Sequence, residues 1–406
     1  MAGNIVDLRV HGQDFARNPY PYYEELRRSG PVHRAILQDD REAWLVLGYE
    51  ESKLALTHPG LAKDWRASPA EWREQQVGDA NATAPLFGLH ILVADHPDHG
   101  RLRKPAAKAF SPRRLEALRP RVTEIVGELT AALSAESSGR RADLVEDFAF
   151  PLSLGVICDV LGVPFADQQH FRAHSRAVVC PTGKDAYLAA CHALVDYLGD
   201  LIDRKRAAPG PDLLSTLIEC SDEDRDAMSP TELRAAAFVL LVAGHETSVN
   251  LISGSVFALL RHPRQLAAVR EDPGLIDNAV EETLRYDGPA EMTTRRFAAA
   301  PVRIGDTVIP GDGDEVLIVL ASANHDHAYF PDPQRFDIHR DTHGHLAFGH
   351  GMHFCLGAAL ARMEGQLALR GLLRAFPDLA LDADPATLAW RPGCPIRGLE
   401  RLPVRY

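Results

Sequence analysis

The segment Phe348-Gly349-His350-Gly351-Met352-His353-Phe354-Cys355-Leu356-Gly357 places a cysteine among glycines and runs straight into Ala358-Ala359-Leu360-Ala361-Arg362. Gly349 and Gly351 permit a tight, left-handed or bulged backbone that a side chain would obstruct. A cysteine at the start of a helix meets free N–H groups and the positive end of the dipole, which favour thiolate over thiol. Gly357 lets a flat ligand approach the backbone closely. A thiolate held rigidly beneath such a ligand is what a haem iron with a cysteine axial ligand requires. A lone cysteine would more often be an inert buried side chain, because free cysteines are among the most buried residues.

A second group of residues suited to chemistry is Ala243-Gly244-His245-Glu246-Thr247-Ser248, in the middle of a long apolar stretch. Gly244 inside a helix costs about 1 kcal/mol relative to alanine. Thr247 can turn its hydroxyl back to the carbonyl of Ala243, and the two together would open a local groove. An acid and an alcohol side by side in a water-excluded core form a proton relay. The blander reading is a helix kink with Glu246 satisfied by its neighbours. Glu282 and Arg285 stand at i,i+3, so they can pair on one helix face; at the surface such a pair would contribute little.

Seven histidines (325, 327, 339, 343, 345, 350 and 353) fall within 29 residues, and His343-Gly344-His345 could seed a metal site. No helical i,i+4 pair with a carboxylate accompanies them, so most read as surface loop residues. From Arg101 to Arg121 the chain carries Arg101, Arg103, Lys104, Lys108, Arg113, Arg114, Arg119 and Arg121 against the single acid Glu116. This local basic run stands against a net charge of −12, which opposes non-specific nucleic-acid binding.

The elements that must position these groups are mostly helical. Ser229-Pro230-Thr231-Glu232 supplies an N-cap, a proline at the first helical position and a capping glutamate. The apolar run that follows lasts to about Arg261-His262-Pro263. It has the length of a membrane span, yet its middle holds His245 and Glu246, whose charge would be costly in lipid; it reads as a helix crossing a protein core. Residues 112 to 265 are helical almost throughout, with breaks near Ser137-Ser138-Gly139, Cys180-Pro181-Thr182-Gly183 and Pro209-Gly210-Pro211. Val32–Leu37 and Ala43–Leu47 flank a polar turn as paired strands do, and residues 58 to 95 read as a long loop with short helical pieces. Short strands return at Val302–Ile304, Thr307–Ile309 and Glu315–Leu320, and a last helix spans about Leu356 to Ala375. The expected fold is mainly α with a minor β region, one domain over residues 1–406, with small sheets near the N-terminus and after residue 300.

Six cysteines are scattered without a CxxC pair, and the N-terminus lacks a signal-peptide pattern, so a reducing cytoplasm is the expected location. No fixed-period repeat and no four-cysteine cluster motif appears.

The Cys355 segment resembles the haem-binding loop of the cytochrome P450 family, Phe-Gly-x-Gly-x-His-x-Cys-x-Gly followed by Ala-x-x-Leu-Ala-Arg, at every specified position. The resemblance extends from about residue 15 to the C-terminus. It implies the cytochrome P450 fold, haem b as cofactor and Cys355 as the iron ligand. It implies propionate donors at His353, at His99 and Arg103 of Asp95-His96-Pro97-Asp98-His99-Gly100-Arg101-Leu102-Arg103, and at one of Arg295 and Arg296. Counting from Arg285 selects either arginine, and counting back from Gly305 selects Arg296. Ala243–Ser248 is similar to the family's oxygen-activation motif, in which the threonine steadies dioxygen and the acid, here Glu246, helps to deliver protons. The Glu282–Arg285 pair would be buried and completed by Arg340.

Leu61-Ala62-Lys63-Asp64-Trp65-Arg66, Leu346 through Arg362, and Arg397-Gly398-Leu399 with Leu402-Pro403-Val404 resemble the soluble actinobacterial group that hydroxylates macrolides, related polyketides and sterol-like molecules such as vitamin D. The implied reaction is insertion of one oxygen atom from dioxygen into a bulky, largely apolar small molecule. Ala243, Met292 and Ile396 would touch substrate, and residues 60–93 and 165–195 would form variable pocket walls. Electrons would come from a ferredoxin and its reductase, docked on the basic run; neither a nucleic acid nor a membrane is an expected partner. A peroxide-driven peroxygenase of the same fold, or a non-catalytic haem-binding sensor or carrier, is the alternative.

Overall fold

Ser229 opens the longest helix by the expected device. Its hydroxyl accepts from the Glu232 N–H (3.3 Å) while Glu232 Oε2 accepts from the Ser229 N–H (2.8 Å). In this computed structural model, which describes residues 5–76, 90–135, 139–164, 167, 171, 174–175, 177–178, 183–224, 227–391 and 396–406, the helix runs unbroken over Pro230–Arg261. It is the one helix among the described residues long and apolar enough to cross a membrane, and most of it is buried inside the protein. Phe150–Leu161, Lys184–Ala207, Ile276–Asp287 and Ala358–Ala375 pack around it. Gly244 serves that packing: a β-carbon there would lie 2.7 Å from Ile157 Cδ1. Gly244 thus serves a close helix–helix approach, a packing role that its residue type alone did not show.

The two strand-forming regions join in one sheet, which their separation in sequence did not suggest. Its strand order is Val6–Asp7, Val32–Ile36, Glu42–Val46, Asp314–Ile318, Arg296–Ala298 and Leu61–Ala62. Glu42–Val46 pairs parallel with Asp314–Ile318, so strands some 270 residues apart carry Arg296 to the edge strand Leu61–Ala62. Val302–Ile304 and Thr307–Ile309 form a separate hairpin. The strand Arg141–Asp143 and a π-helical turn at Val145–Ala149 interrupt the helical middle. The breaks expected at 137–138 and 180–182 lie outside the described residues. So does much of the pocket wall expected at 60–93 and 165–195.

Glu282 and Arg285 are fully buried and joined at 2.7 and 2.8 Å. Arg340 completes the group at 3.4 Å from Glu282. Four of the seven histidines, His327, His339, His343 and His350, are exposed as expected, and two are placed otherwise. His325 is buried, with Nε2 2.7 Å from the Tyr286 carbonyl, and His345 lies 3.1 Å from Glu281. A histidine takes its place from the polar partner that tertiary packing brings, which local composition does not show. Among the described residues no group of three metal-ligating side chains forms.

Candidate active site

The glycines of the Cys355 loop adopt the backbone expected of them, with φ of 71° at Gly349 and 75° at Gly351. The loop is closed by Phe354 N–H donating to Gly351 O (3.0 Å) and Cys355 N–H donating to Phe348 O (2.9 Å). Helix Ala358–Ala375 begins after its N-cap Gly357, so Cys355 precedes the helix by three residues. Arg362 stacks 4.5 Å over the Phe348 ring while Glu281 holds its guanidinium at 2.6 and 2.9 Å. Arg103 donates to the Phe354 carbonyl at 2.6 Å, next to the thiol.

Cys355 is open on one side and hemmed in by protein elsewhere. Burial pushes its thiol pKa up, while the Gly357 N–H, Arg103 and Arg362 pull it down, and burial prevails. The N–H at the helix end favours the thiolate as expected, but burial outweighs it. The thiol needs a coordinating cation, which deprotonates such a group outright.

Beside the loop lies a pocket of cationic and imidazole groups. The His99 and His353 rings are 4.4 Å apart, and Nε2 of each is buried without a hydrogen-bond partner. Arg296 is buried; it donates to Leu61 O (3.3 Å) and Leu56 O (3.0 Å), and its Nε has no partner. Arg295 is committed elsewhere, to Glu315 at 3.3 Å and to the face of Trp72. Of the two arginines, Arg296 is the one that enters the pocket.

Lys63 and His90, which sequence reasoning did not single out, are buried in the same neighbourhood. All these groups give up their protons more readily than usual. Burial is the largest cause each time, and positive neighbours add to it: His353 falls to about 3 beside Lys63, His99 and Arg296, and His90 to about 4 beside Lys63. Arg296 falls to about 10 through burial, with Asp95 opposing. A pocket with this potential and unused donors suits carboxylates.

On the long helix, Ala243 is exposed and Val242, Gly244 and Thr247 are half-exposed, while His245, Glu246 and Ser248 are buried. Thr247 Oγ1 donates to the Ala243 carbonyl at 3.0 Å. Glu246 is buried and paired with Arg391, a residue absent from the sequence reading. The acid and the alcohol are neighbours in sequence, yet the acid's partner comes from 145 residues away. His245 is also buried; Nδ1–H donates to Leu241 O (2.9 Å), leaving Nε2 to accept from the Ser175 hydroxyl (2.6 Å). Met292 is half-buried and packs against the apolar cluster that includes Leu45, Leu317 and Val319. Ile396 pairs with Ala290 through an isolated bridge. Of the residues missed, Lys63 lay within the Leu61–Arg66 segment and Arg391 just before the turn that holds Ile396.

The donor set fits haem b: a thiol below an open face at Gly357, where a β-carbon would meet no protein atom within 4 Å, and a cation-rich pocket for its carboxylates. Fold and site together define a haem-thiolate oxidoreductase. The cytochrome P450 sequence profile matches residues 181–385. The chain is 49% identical over 402 residues to the cytochrome P450 monooxygenase PikC of Streptomyces venezuelae, covering 99% of this chain and 94% of that protein. It is 43% identical to the 6-deoxyerythronolide B hydroxylase of Saccharopolyspora erythraea, covering 95% of each. The tirandamycin C-bound P450 monooxygenase TamI superposes with a TM-score of 0.90 at 42% identity, covering 98% of this chain and 99% of that one. The chain belongs to the cytochrome P450 family. It is a monooxygenase that works with haem b and a cysteine thiolate ligand on small molecules.

Proposed function

We propose that this P450 hydroxylates or epoxidises a bulky, largely apolar molecule of the macrolide, polyketide or sterol-like kind, using dioxygen and electrons from a ferredoxin. The observation that carries the reading is the juxtaposition of the Cys355 loop with the buried, partnerless donors of His99, His353 and Arg296. Bound haem supplies the oxidising chemistry. Cys355 ligates the iron, and His99, Arg103, Arg296 and His353 hold the propionates by charge-assisted hydrogen bonds. One relative is named for hydroxylating 6-deoxyerythronolide B, and one structural neighbour holds tirandamycin C. By analogy, Ala243, Met292 and Ile396 would touch substrate here.

Thr247 presents a hydroxyl on the open side of an otherwise buried helix, where it can pass a proton. Glu246 can feed that relay only by turning away from Arg391. The relay is thus an ion pair to be opened, and not a standing chain of hydrogen bonds. The basic run offers Lys104, Lys108, Arg113 and Arg114 to an acidic ferredoxin, since Arg101, Arg119 and Arg121 are spent on Glu232, Glu116 and Asp159. The described Cys158, Cys191, Cys220 and Cys355 are unpaired thiols, which suits a reducing cytoplasm.

The test is a reconstituted system. Ferrous protein with carbon monoxide should show the red-shifted Soret band of thiolate ligation, lost in Cys355→His; a histidine-type band in the native protein would sink the assignment. Thr247→Ala should keep haem and substrate but divert reducing equivalents to peroxide, and unchanged coupling would remove its role. Arg113→Glu with Arg114→Glu should slow reduction by ferredoxin, as should added salt. Indifference to both would move the docking face.

A further inference from the structure

Lys63 continues the edge strand Leu61–Ala62, which pairs antiparallel with Ala298 and Phe297. The same register places Lys63 opposite Arg296. Like charges directly opposite on adjacent strands are destabilising, and here both side chains are buried. The Lys63 ammonium donates to the Thr294 carbonyl (3.3 Å) and to the Thr294 hydroxyl. These bonds satisfy donors without neutralising charge.

Among the described residues, no carboxylate lies within ion-pair distance of Lys63 or Arg296. The nearby anion is Asp95, whose Oδ2 already accepts the backbone N–H groups of Lys63 (2.8 Å) and Asp64 (2.9 Å). Burial pushes the lysine pKa well down, Arg296 pushes it further, and Asp95 only partly opposes them. A buried cation without a counter-charge is costly. The placing of this lysine opposite Arg296, beside the unused donors of Arg296, His99 and His353, calls for an anion that the described residues do not supply.

We propose that Lys63 is a further anchor for the cofactor, its ammonium neutralising a haem propionate together with Arg296. The proposal rests on the haem reading above and extends the propionate site to a residue from the edge of the sheet. It also accounts for the short strand Leu61–Ala62, which carries the lysine to that edge.

The holoenzyme tests it through haem retention and the propionate bending band of the resonance Raman spectrum, neither of which depends on turnover. In Lys63→Met, transfer of haem to excess apomyoglobin should speed up by roughly 10- to 100-fold, the range for losing a hydrogen bond to a charged group. The propionate band should shift as well. Lys63→Arg should restore most of the retention and the band. Should Lys63→Met not accumulate, Lys63→Gln serves in its place.

A transfer rate within about twofold of native, or an unshifted propionate band, overturns the proposal. Equal acceleration in the Met and Arg variants also overturns it, because it marks a packing role. A native protein that takes up no haem would refute the haem reading itself, which separates that failure from failure at Lys63.

Discussion

Two buried clusters built around an arginine are completed differently. Arg285 uses its whole guanidinium: Nε and Nη2 meet Glu282, Nη1 meets the Asn324 and Pro333 carbonyls (3.0 and 2.9 Å), and Nη2 also reaches Arg335 O. Glu282 in turn accepts from Arg340 and from the Asp337 N–H. Around Arg296, by contrast, the neighbours are Lys63, His353 and His99, with donors left over. A cluster that closes on itself stabilises a fold, and one that leaves like charges and donors together is arranged for a ligand. The first binds helix Ile276–Asp287 to the loop after residue 324. The second keeps buried donors that no group among the described residues takes up.

The largest effect should come from breaking the closed cluster. Arg285→Met leaves Glu282 buried with the Asp337 N–H and a long contact to Arg340 but without its close counter-charge, and removal of one partner of a buried pair costs about 3–5 kcal/mol. Urea unfolding of the haem-loaded protein should show it; a loss below about 1 kcal/mol would mean that the cluster is not the structural element its geometry indicates.

Breaking the open cluster should act on the cofactor and spare the fold. Arg296→Met should weaken haem retention by about 1.5–3 kcal/mol, read as faster haem transfer, while unfolding of the protein portion changes little. Destabilisation matching that of Arg285→Met would erase the contrast.

The smallest effect belongs to a pair between these extremes. Burial pushes Glu281 up, but hydrogen bonds from His345 and Arg362 hold its carboxyl down to about 2. A folded pKa below the ordinary carboxylate value of about 4.3 contributes stability that is present above that value and lost as pH falls toward 2. Since a quarter of the side chain is exposed, the contribution should be about 1–2 kcal/mol. Arg362→Met should flatten the decline in stability between pH 5 and about 3. An unaltered slope would assign that decline to other carboxylates.

The local signals were strong wherever a few consecutive residues dictate the backbone. Ser229 to Glu232 announced a helix start, and Gly349 and Gly351 announced a turned loop, because caps and left-handed residues depend on nearest neighbours alone. Cys355, Thr247 and the Glu282–Arg285 spacing were legible for the same reason. The long core helix was legible from its capped start and its length, since a helix apolar on nearly every face must be buried.

Tertiary structure decided who meets whom. Glu246 was visible as an acid, but Arg391 was invisible as its partner across 145 residues. The choice between Arg295 and Arg296 turned on partners that only the fold brings, Glu315 and Trp72 for the first and the Leu56 and Leu61 carbonyls for the second. Whether the run from 101 to 121 is a free basic face depended on Glu232 and Asp159 arriving from other helices. Lys63 stood in the sequence inside the Leu61–Arg66 segment, with no role attached to it. Only pairing of Leu61–Ala62 against Phe297–Ala298 put it across from Arg296, because charge matters at distances set by the fold and not by the chain.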